Sequence, residues 1–293
     1  MYMCNNTDQI FGILGYNINY TLSPILHNFT AKKFDIPIQY HIYDFDINKL
    51  PNFIKDFALY GYGLNITTPY KQAILTQMPN LIKKNSLSIN TIYKQHNNFI
   101  AISTDAKGLE LGLNKINLSL EDFETIIILG NGGVCVAILE YLSELKKFNK
   151  FKNKIFILRR NTQKDIFFNN NFSNVLKIIF KDFDPQSLET IFKSNNHTKS
   201  LVIQATSAPS QNAFLNEFVE IFKNFEGVFI DLNYAQKSAL YDISIKMGLI
   251  TQDGIPMFIE QARLSQKLWW GKSISYNDAL DLIQNVNNKY YEQ

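Results

Sequence analysis

The sequence predicts an α/β protein of two domains, and three observations carry that expectation. Short apolar runs alternate with amphipathic segments along most of the chain, the rhythm of strands and helices in a mostly parallel sheet. The rhythm starts twice, near residue 10 and again near residue 123, and the second start has a glycine turn directly after its first apolar run. A length of 293 residues with 46% apolar content is enough to bury two modest cores.

In the first series "IFGILG" (10–15) reads as a strand and "SPILHNFTAKKF" (23–34) as a helix, with Ser23 as N-cap and Pro24 at the first helical position. "QYHIYDF" (39–45) is a strand, 47–60 a helix, and "GYGLNIT" (61–67) a strand that runs into a helix from Pro69. "SINTIYKQ" and "NFIAIS" are two strands joined by the turn "HNN", and a helix starts at Asp105. In the second series "ETIIILGNGGVCVAILEYLSEL" (124–145) is a buried strand, a glycine turn and a helix. Strands follow at 154–158, 175–180, 200–205 and 227–232, and helices at 256–270 and 276–291. The two halves share a pattern and no internal repeat.

Charge and composition exclude several classes of function. Twenty-nine basic and 26 acidic residues give a net charge of +3, with no block of one sign that suits a nucleic acid. The cysteines, Cys4 and Cys135, make no disulfide framework, and the four histidines lack metal-ligand spacing, so no metal is expected. No apolar stretch is long enough to span a bilayer, and the first residues do not read as a signal peptide. A cytoplasmic protein with no membrane or nucleic-acid partner is expected.

Two stretches carry chemistry. "GNGGVC" (130–135) places Gly130 and Gly132 as the first two glycines of a dinucleotide fingerprint, with Cys135 at the third, small position. Gly130 allows the tight turn, Gly132 the close approach of a pyrophosphate, and the N-terminus of the helix that follows supplies amide donors. A glycine turn without ligand is the plain alternative. After the next strand comes "LRRNTQK", with Arg159, Arg160 and Lys164 and no acid before Asp165. Guanidinium groups suit a 2′-phosphate, which favours NADP(H) over NAD; an exposed basic loop is the alternative. The other stretch is "GLNITTPYK" (63–71). It puts Lys71 in the first turn of a helix, where the dipole disfavours a cation, behind Asn65, Thr67 and Thr68.

The ordered set "TLSP" (21–24), "NITTPYK" (65–71), "NT" (90–91), "STD" (103–105), "GNGG", "RRN", "ATS" (205–207), "DLNY" (231–234) and "DGIPMFIEQA" (253–262) resembles the shikimate dehydrogenase family over nearly the whole chain. The resemblance implies a substrate-binding domain at 1–120, completed by C-terminal helices at 251–293, and a Rossmann-type NADP domain at 121–250. It implies Lys71 and Asp105 as the catalytic pair. It implies Thr21 and Ser23 on the substrate carboxylate, and Asn65, Thr67, Asn90, Tyr234 and Gln261 as further substrate contacts. On the cofactor side it implies Gly130, Asn131, Gly132, Gly133 and Thr206, beside Arg159, Arg160 and Lys164. The implied partner is shikimate or 3-dehydroshikimate, and the implied assembly a monomer or homodimer.

These residue types fit a ketone reduction, which needs a proton at oxygen when hydride arrives at carbon. An ammonium at Lys71 can stabilise the developing alkoxide and donate that proton, and Asp105 can hold the ammonium. A buried cation needs such a partner. Departures from the family pattern include Thr21, Ser103, Asn131, Val136, Gln204 and Pro209. They leave three readings: a shikimate dehydrogenase, a quinate/shikimate paralogue with altered ring selectivity, or a non-catalytic shikimate-binding relative.

Overall fold

Two six-stranded sheets are built from the apolar runs, one in each half of the rhythm. The computed structural model describes residues 9–78, 81–83, 86–147, 153–195, 199–206, 216–223 and 225–291. Cys4 and Pro209 lie outside the described residues. The chain divides into two compact units, 1–108 with 259–293, and 109–258.

The first unit contains β1 (Gln9–Gly15), α1 (Ser23–Lys33), β2 (Ile38–Asp44), α2 (Leu50–Tyr60), β3 (Gly61–Ile66), α3 (Tyr70–Gln77), β4 (Leu81–Lys83), β5 (Thr91–Gln95) and β6 (Asn98–Ile102). Its sheet order is β2-β1-β3-β5-β6-β4. β1 runs parallel to β2 and β3, whereas β5 pairs antiparallel with both β3 and β6. The sheet is therefore mixed, because the β5–β6 hairpin is inserted beside β3. His96 sits in the hairpin turn with a φ of 54°. Leu14, Leu64, Ile66 and Ile92 from three adjacent strands pack on Ile54, Phe57, Tyr70 and Ile74 from the helices. Burying that apolar face fixes the register, since a one-residue slip would turn each side chain to the other face.

Two helix starts differ from the sequence reading. Leu22 occupies the N-cap of α1 and makes no capping bond, so Ser23 is already helical. Its hydroxyl is engaged elsewhere, accepting from Thr21 Oγ1 at 3.1 Å. The segment 47–60 begins with a 3₁₀ turn at Ile47–Lys49, capped by Asp46, and becomes α-helical at Leu50.

α4 (Asp105–Leu113) leads into the second unit. There β7 (Thr125–Leu129), α5 (Gly133–Lys147), β8 (Lys154–Arg159), α6 (Asp165–Phe172), β9 (Lys177–Asp182), α7 (Pro185–Ser194), β10 (Ser200–Gln204), α8 (Val219–Phe222), β11 (Val228–Asp231), α9 (Ala239–Lys246) and β12 (Ile250–Gln252) follow. The order β12-β11-β10-β7-β8-β9 is parallel throughout. Read from the other edge it is third, second, first, fourth, fifth, sixth, the doubly wound order of a Rossmann-type domain. Strand order reverses between β7 and β10, which puts the switch point beside the turn that follows β7. All five residues of β7 and of β10 are buried, as strands covered on both faces require. β9 begins two residues later than its apolar run suggested, at Lys177. α10 (Ile255–Trp270) and α11 (Tyr276–Tyr291) close the chain. Among the described residues no helix is long and apolar enough to cross a membrane.

Candidate active site

Lys71 is placed by the end of β3. Thr67 extends the strand through its N–H to Leu14 O (2.9 Å), and its own carbonyl accepts Tyr70 N–H (2.9 Å). Pro69 is the N-cap, so α3 begins at Tyr70, whose ring is fully buried and whose hydroxyl donates to Phe45 O. That anchoring leaves Lys71 in the first turn, against the dipole. The compensation is Asp105: Lys71 Nζ donates to Asp105 Oδ2, with side chains 11% and 7% exposed. Asp105 in turn opens α4, where a carboxylate is favoured.

The other carboxylate oxygen belongs to Asn90. Asn90 Nδ2 donates to Asp105 Oδ1 at 2.8 Å and to Thr104 Oγ1 at 2.9 Å. Its Oδ1 accepts Thr104 N–H at 2.8 Å and Thr91 Oγ1 at 3.0 Å. A backbone N–H can only donate, so Thr104 fixes which end of the Asn90 amide faces Asp105. Asn65 is fixed by the same logic. Its Nδ2 donates to the Asn90 carbonyl (3.2 Å), Thr91 Oγ1 (3.1 Å) and Ser265 Oγ (3.1 Å), and its Oδ1 accepts the Tyr40 hydroxyl (2.7 Å). A carbonyl can only accept, so the amine end faces it. The fully buried Thr91 hydroxyl therefore accepts from one asparagine and donates to the other.

α10 reads this edge one turn at a time. Gln261, Ser265 and Trp269 lie on one face of the helix. Gln261 Oε1 accepts Asn90 Nδ2 at 3.4 Å, Ser265 Oγ lies 2.9 Å from Thr91 Oγ1, and Trp269 Nε1 donates to Ile92 O at 2.9 Å. Gly108 allows the approach: a Cβ there would stand 2.8 Å from Gln261 Cβ and 2.9 Å from its backbone nitrogen. Thr21 and Ser23 form a separate hydroxyl pair before α1. Thr67 is half-buried beside Gly15, and Tyr234 of the second unit stacks on Phe258, ring centres 4.5 Å apart.

The structure thus brings Lys71, Asp105, Asn90, Gln261 and Asn65 into one hydrogen-bonded cluster. The sequence reading did not name Tyr40, Thr91, Thr104, Gly108 or Ser265. Two signals pointed at them: Thr91 is the second residue of "NT", and Ser265 lies one helical turn beyond Gln261.

In the second unit the turn after β7 has the features a dinucleotide needs. Gly130 has a φ of 114° and a Cβ there would stand 3.1 Å from Thr206 Cγ2, while a Cβ on Gly132 would meet nothing within 4 Å. The open side at Gly132 and the amides at the start of α5 fit a pyrophosphate. Asn131 Nδ2 donates to Asn161 O at 2.8 Å, tying this turn to the basic loop after β8. Thr206 Oγ1 accepts Gln204 Nε2 at 2.7 Å. Cys135 is fully buried, and desolvation pushes its thiol up to about 12, so it serves packing. Among the described residues no cluster of ligands could hold a metal ion.

The doubly wound second unit and the lysine–aspartate cluster of the first define an α/β protein of the two-domain dehydrogenase type. Residues 13–92 match the family model of the shikimate dehydrogenase substrate binding domain. A shikimate dehydrogenase (NADP(+)) of Clostridium botulinum is 30% identical over 266 residues, covering 88% of this chain and 95% of the relative. One from Pelagibacter ubique is 29% identical over 273 residues, covering 89% and 93%. Among solved structures, shikimate dehydrogenase from Aquifex aeolicus superposes with a TM-score of 0.77 at 21% identity, over 96% of this chain and 99% of that one. The Thermus thermophilus enzyme, solved with NADP(H) and shikimate, gives 0.76 at 21% identity, over 94% and 99%. The chain belongs to the shikimate dehydrogenase family.

Proposed function

We infer that this protein is an NADP-dependent shikimate dehydrogenase, which reversibly reduces 3-dehydroshikimate to shikimate in chorismate and aromatic amino acid biosynthesis. The observation that carries its mechanism is the buried Lys71–Asp105 pair with the Asn90 amide on the second carboxylate oxygen. NADPH, when bound, supplies the hydride that reaches the carbonyl carbon of the substrate. Lys71 Nζ gives its proton to the carbonyl oxygen as that oxygen gains charge, and takes one back in the reverse direction. Asp105 Oδ2 holds the ammonium, and Asn90 keeps Oδ1 occupied, so the carboxylate stays aligned.

Thr21 and Ser23 supply hydroxyl donors for the substrate carboxylate. Thr67, Asn90, Gln261 and Tyr234 supply neutral groups for the ring hydroxyls, and Asp105 shares the hydroxyl beside the reacting carbon. Asn65 joins this set, its amide held, like that of Asn90, by neighbours: Tyr40, Thr91, Ser265 and the Asn90 carbonyl. Gly130, Asn131, Gly132, Gly133 and Thr206 line the dinucleotide side, and Arg160 and Lys164 answer the 2′-phosphate. The reading carries with it a cytoplasmic enzyme that works as a monomer or homodimer.

A spectrophotometric assay of the purified protein tests this. Shikimate with NADP is expected to give the highest turnover among the four pairings of shikimate or quinate with NADP or NAD. No turnover with any pairing, in folded protein, would sink the assignment.

A further inference from the structure

The end of β8 and the segment after it carry three cations, Arg159, Arg160 and Lys164, and they are not equivalent. Arg159 Nε donates to both oxygens of Asp165 at 3.1 Å, and Nη2 donates to Asp165 Oδ2 at 2.8 Å. Nη1 reaches across to β9 and donates to Asp182 Oδ1 at 2.6 Å. The side chain is only 11% exposed, and its guanidinium carbon lies 5.8 Å from the centre of the Phe180 ring. Two edges of the fork are thus filled by carboxylates. Arg160, by contrast, is exposed, and its side chain has no hydrogen bond or ion pair among the described residues.

The arrangement has a consequence for charge. Asp165 and Asp182 flank the segment that the fingerprint geometry assigns to the 2′ position of the adenosine ribose. A phosphate there brings close to two negative charges. Three cations against these two carboxylates leave +1; without Arg159 the sum is zero, and both carboxylates face the phosphate unpaired. Arg159 also joins the last residue of β8 to the first residue of α6, closing the segment that carries Arg160 and Lys164.

We propose that Arg159 is a specificity-determining positioning residue for NADP: it does not touch the 2′-phosphate, but neutralises Asp165 and Asp182 and holds the segment from which Arg160 and Lys164 meet it. This rests on the reading of the protein as NADP-dependent.

The test is calorimetric binding of 2′,5′-ADP and 5′-ADP to the full chain, with no turnover required. Arg159→Ala is expected to weaken 2′,5′-ADP roughly tenfold while changing 5′-ADP less than about threefold. Adding Asp165→Asn to that variant is expected to recover most of the loss, because the repelling charge is gone. A direct phosphate contact would not be recovered this way. Asp165→Asn alone, a milder change for folding, is expected to tighten 2′,5′-ADP at least about twofold relative to 5′-ADP. An unchanged affinity in Arg159→Ala, a loss that Asp165→Asn leaves in place, or equal effects of Asp165→Asn on both nucleotides overturns the proposal. If the wild-type chain binds 5′-ADP and gains nothing from the 2′-phosphate, this inference fails and the dinucleotide site stands. If it binds neither nucleotide, the NADP reading itself fails, and this inference with it.

Discussion

Lys71 and Arg159 each meet an aspartate in a contact that leaves the cation's side chain 11% exposed. They differ in what remains. The Lys71 ammonium has three donors and, among the described residues, bonds only Asp105 through its side chain. The Arg159 guanidinium is engaged at Nε, Nη1 and Nη2. Behind Asp105 stand neutral amides and hydroxyls that hold one carboxylate oxygen in place. Behind Arg159 stand two carboxylates that between them engage all three of its nitrogens. Burial beside an acid therefore does not mark a catalytic cation. The role proposed for Lys71 rests instead on the carboxylate it meets, which neutral groups hold from the other side.

The sharpest way to break this comparison is Lys71→Ala. Turnover is expected to fall by about 10² to 10⁴, the usual range for a lost general acid, while shikimate affinity changes far less. Measuring kcat beside a binding isotherm and a melting curve separates chemistry from folding. Turnover that survives would remove Lys71 as proton donor and leave it as ordinary as Arg159. Arg160→Ala sharpens the comparison from the other side. Affinity for NADPH is expected to drop roughly tenfold and for NADH by less than about twofold, as the role proposed for Arg160 at the 2′-phosphate requires. Equal losses for both cofactors would place that role elsewhere.

A smaller effect is expected behind the carboxylate. Thr91→Val keeps the shape and removes the hydroxyl that sits between Asn65 and Asn90. Two buried amide atoms each lose a partner, which costs on the order of 1–3 kcal/mol of stability. Turnover is expected to fall about tenfold with a smaller change in KM, and Thr91→Ser to restore most of it, since networks of this kind weaken more than pair by pair. A Thr91→Ser enzyme as slow as Thr91→Val would mean that the methyl group, and not the hydroxyl, matters.

How much of this was legible beforehand depended on which physical rule set each residue. The second unit was legible because parallel strands buried on both faces read as unbroken apolar runs, and because Gly130 and Gly132 stand where the backbone needs them. Lys71 was legible as an anomaly, a cation at the wrong end of a helix. Thr91 and Ser265 were only hinted at, by "NT" and by the turn after Gln261, because the value of their hydroxyls comes from residues far away in the chain. Ser23 was misread as a cap because a serine before Pro24 has that meaning locally; in the fold Leu22 takes that place and Ser23 accepts from Thr21. Arg159 and Arg160 look alike in sequence, and what separates them is that Asp165 and Asp182 both meet Arg159 in the fold.

His27 extends the comparison to an open polar atom that no water reaches. It is fully buried on α1, stacked on Tyr40 at 4.4 Å and flanked by Trp269 at 5.1 Å. Nδ1 lies 3.4 Å from Gln266 Nε2, and Nε2 has no hydrogen-bond partner among the described residues. Desolvation holds the imidazole at about 3, against a smaller opposing effect of Asn65. The unfolded chain would bind this proton near pH 6.5, so between those values the unfolded state carries more protons than the folded one. Stability contributed by the neutral ring is then complete above pH 6.5 and is lost progressively as the pH falls toward 3. Between pH 6.5 and pH 5 the loss from this one residue is about 2 kcal/mol. Denaturant melts at those two pH values are expected to show it in the wild type and to show a flatter dependence in His27→Phe. Equal slopes for the two proteins would mean that the ring finds a partner for its second nitrogen in solution. The stack on Tyr40, whose hydroxyl holds Asn65, would then be the reason for a histidine at that position.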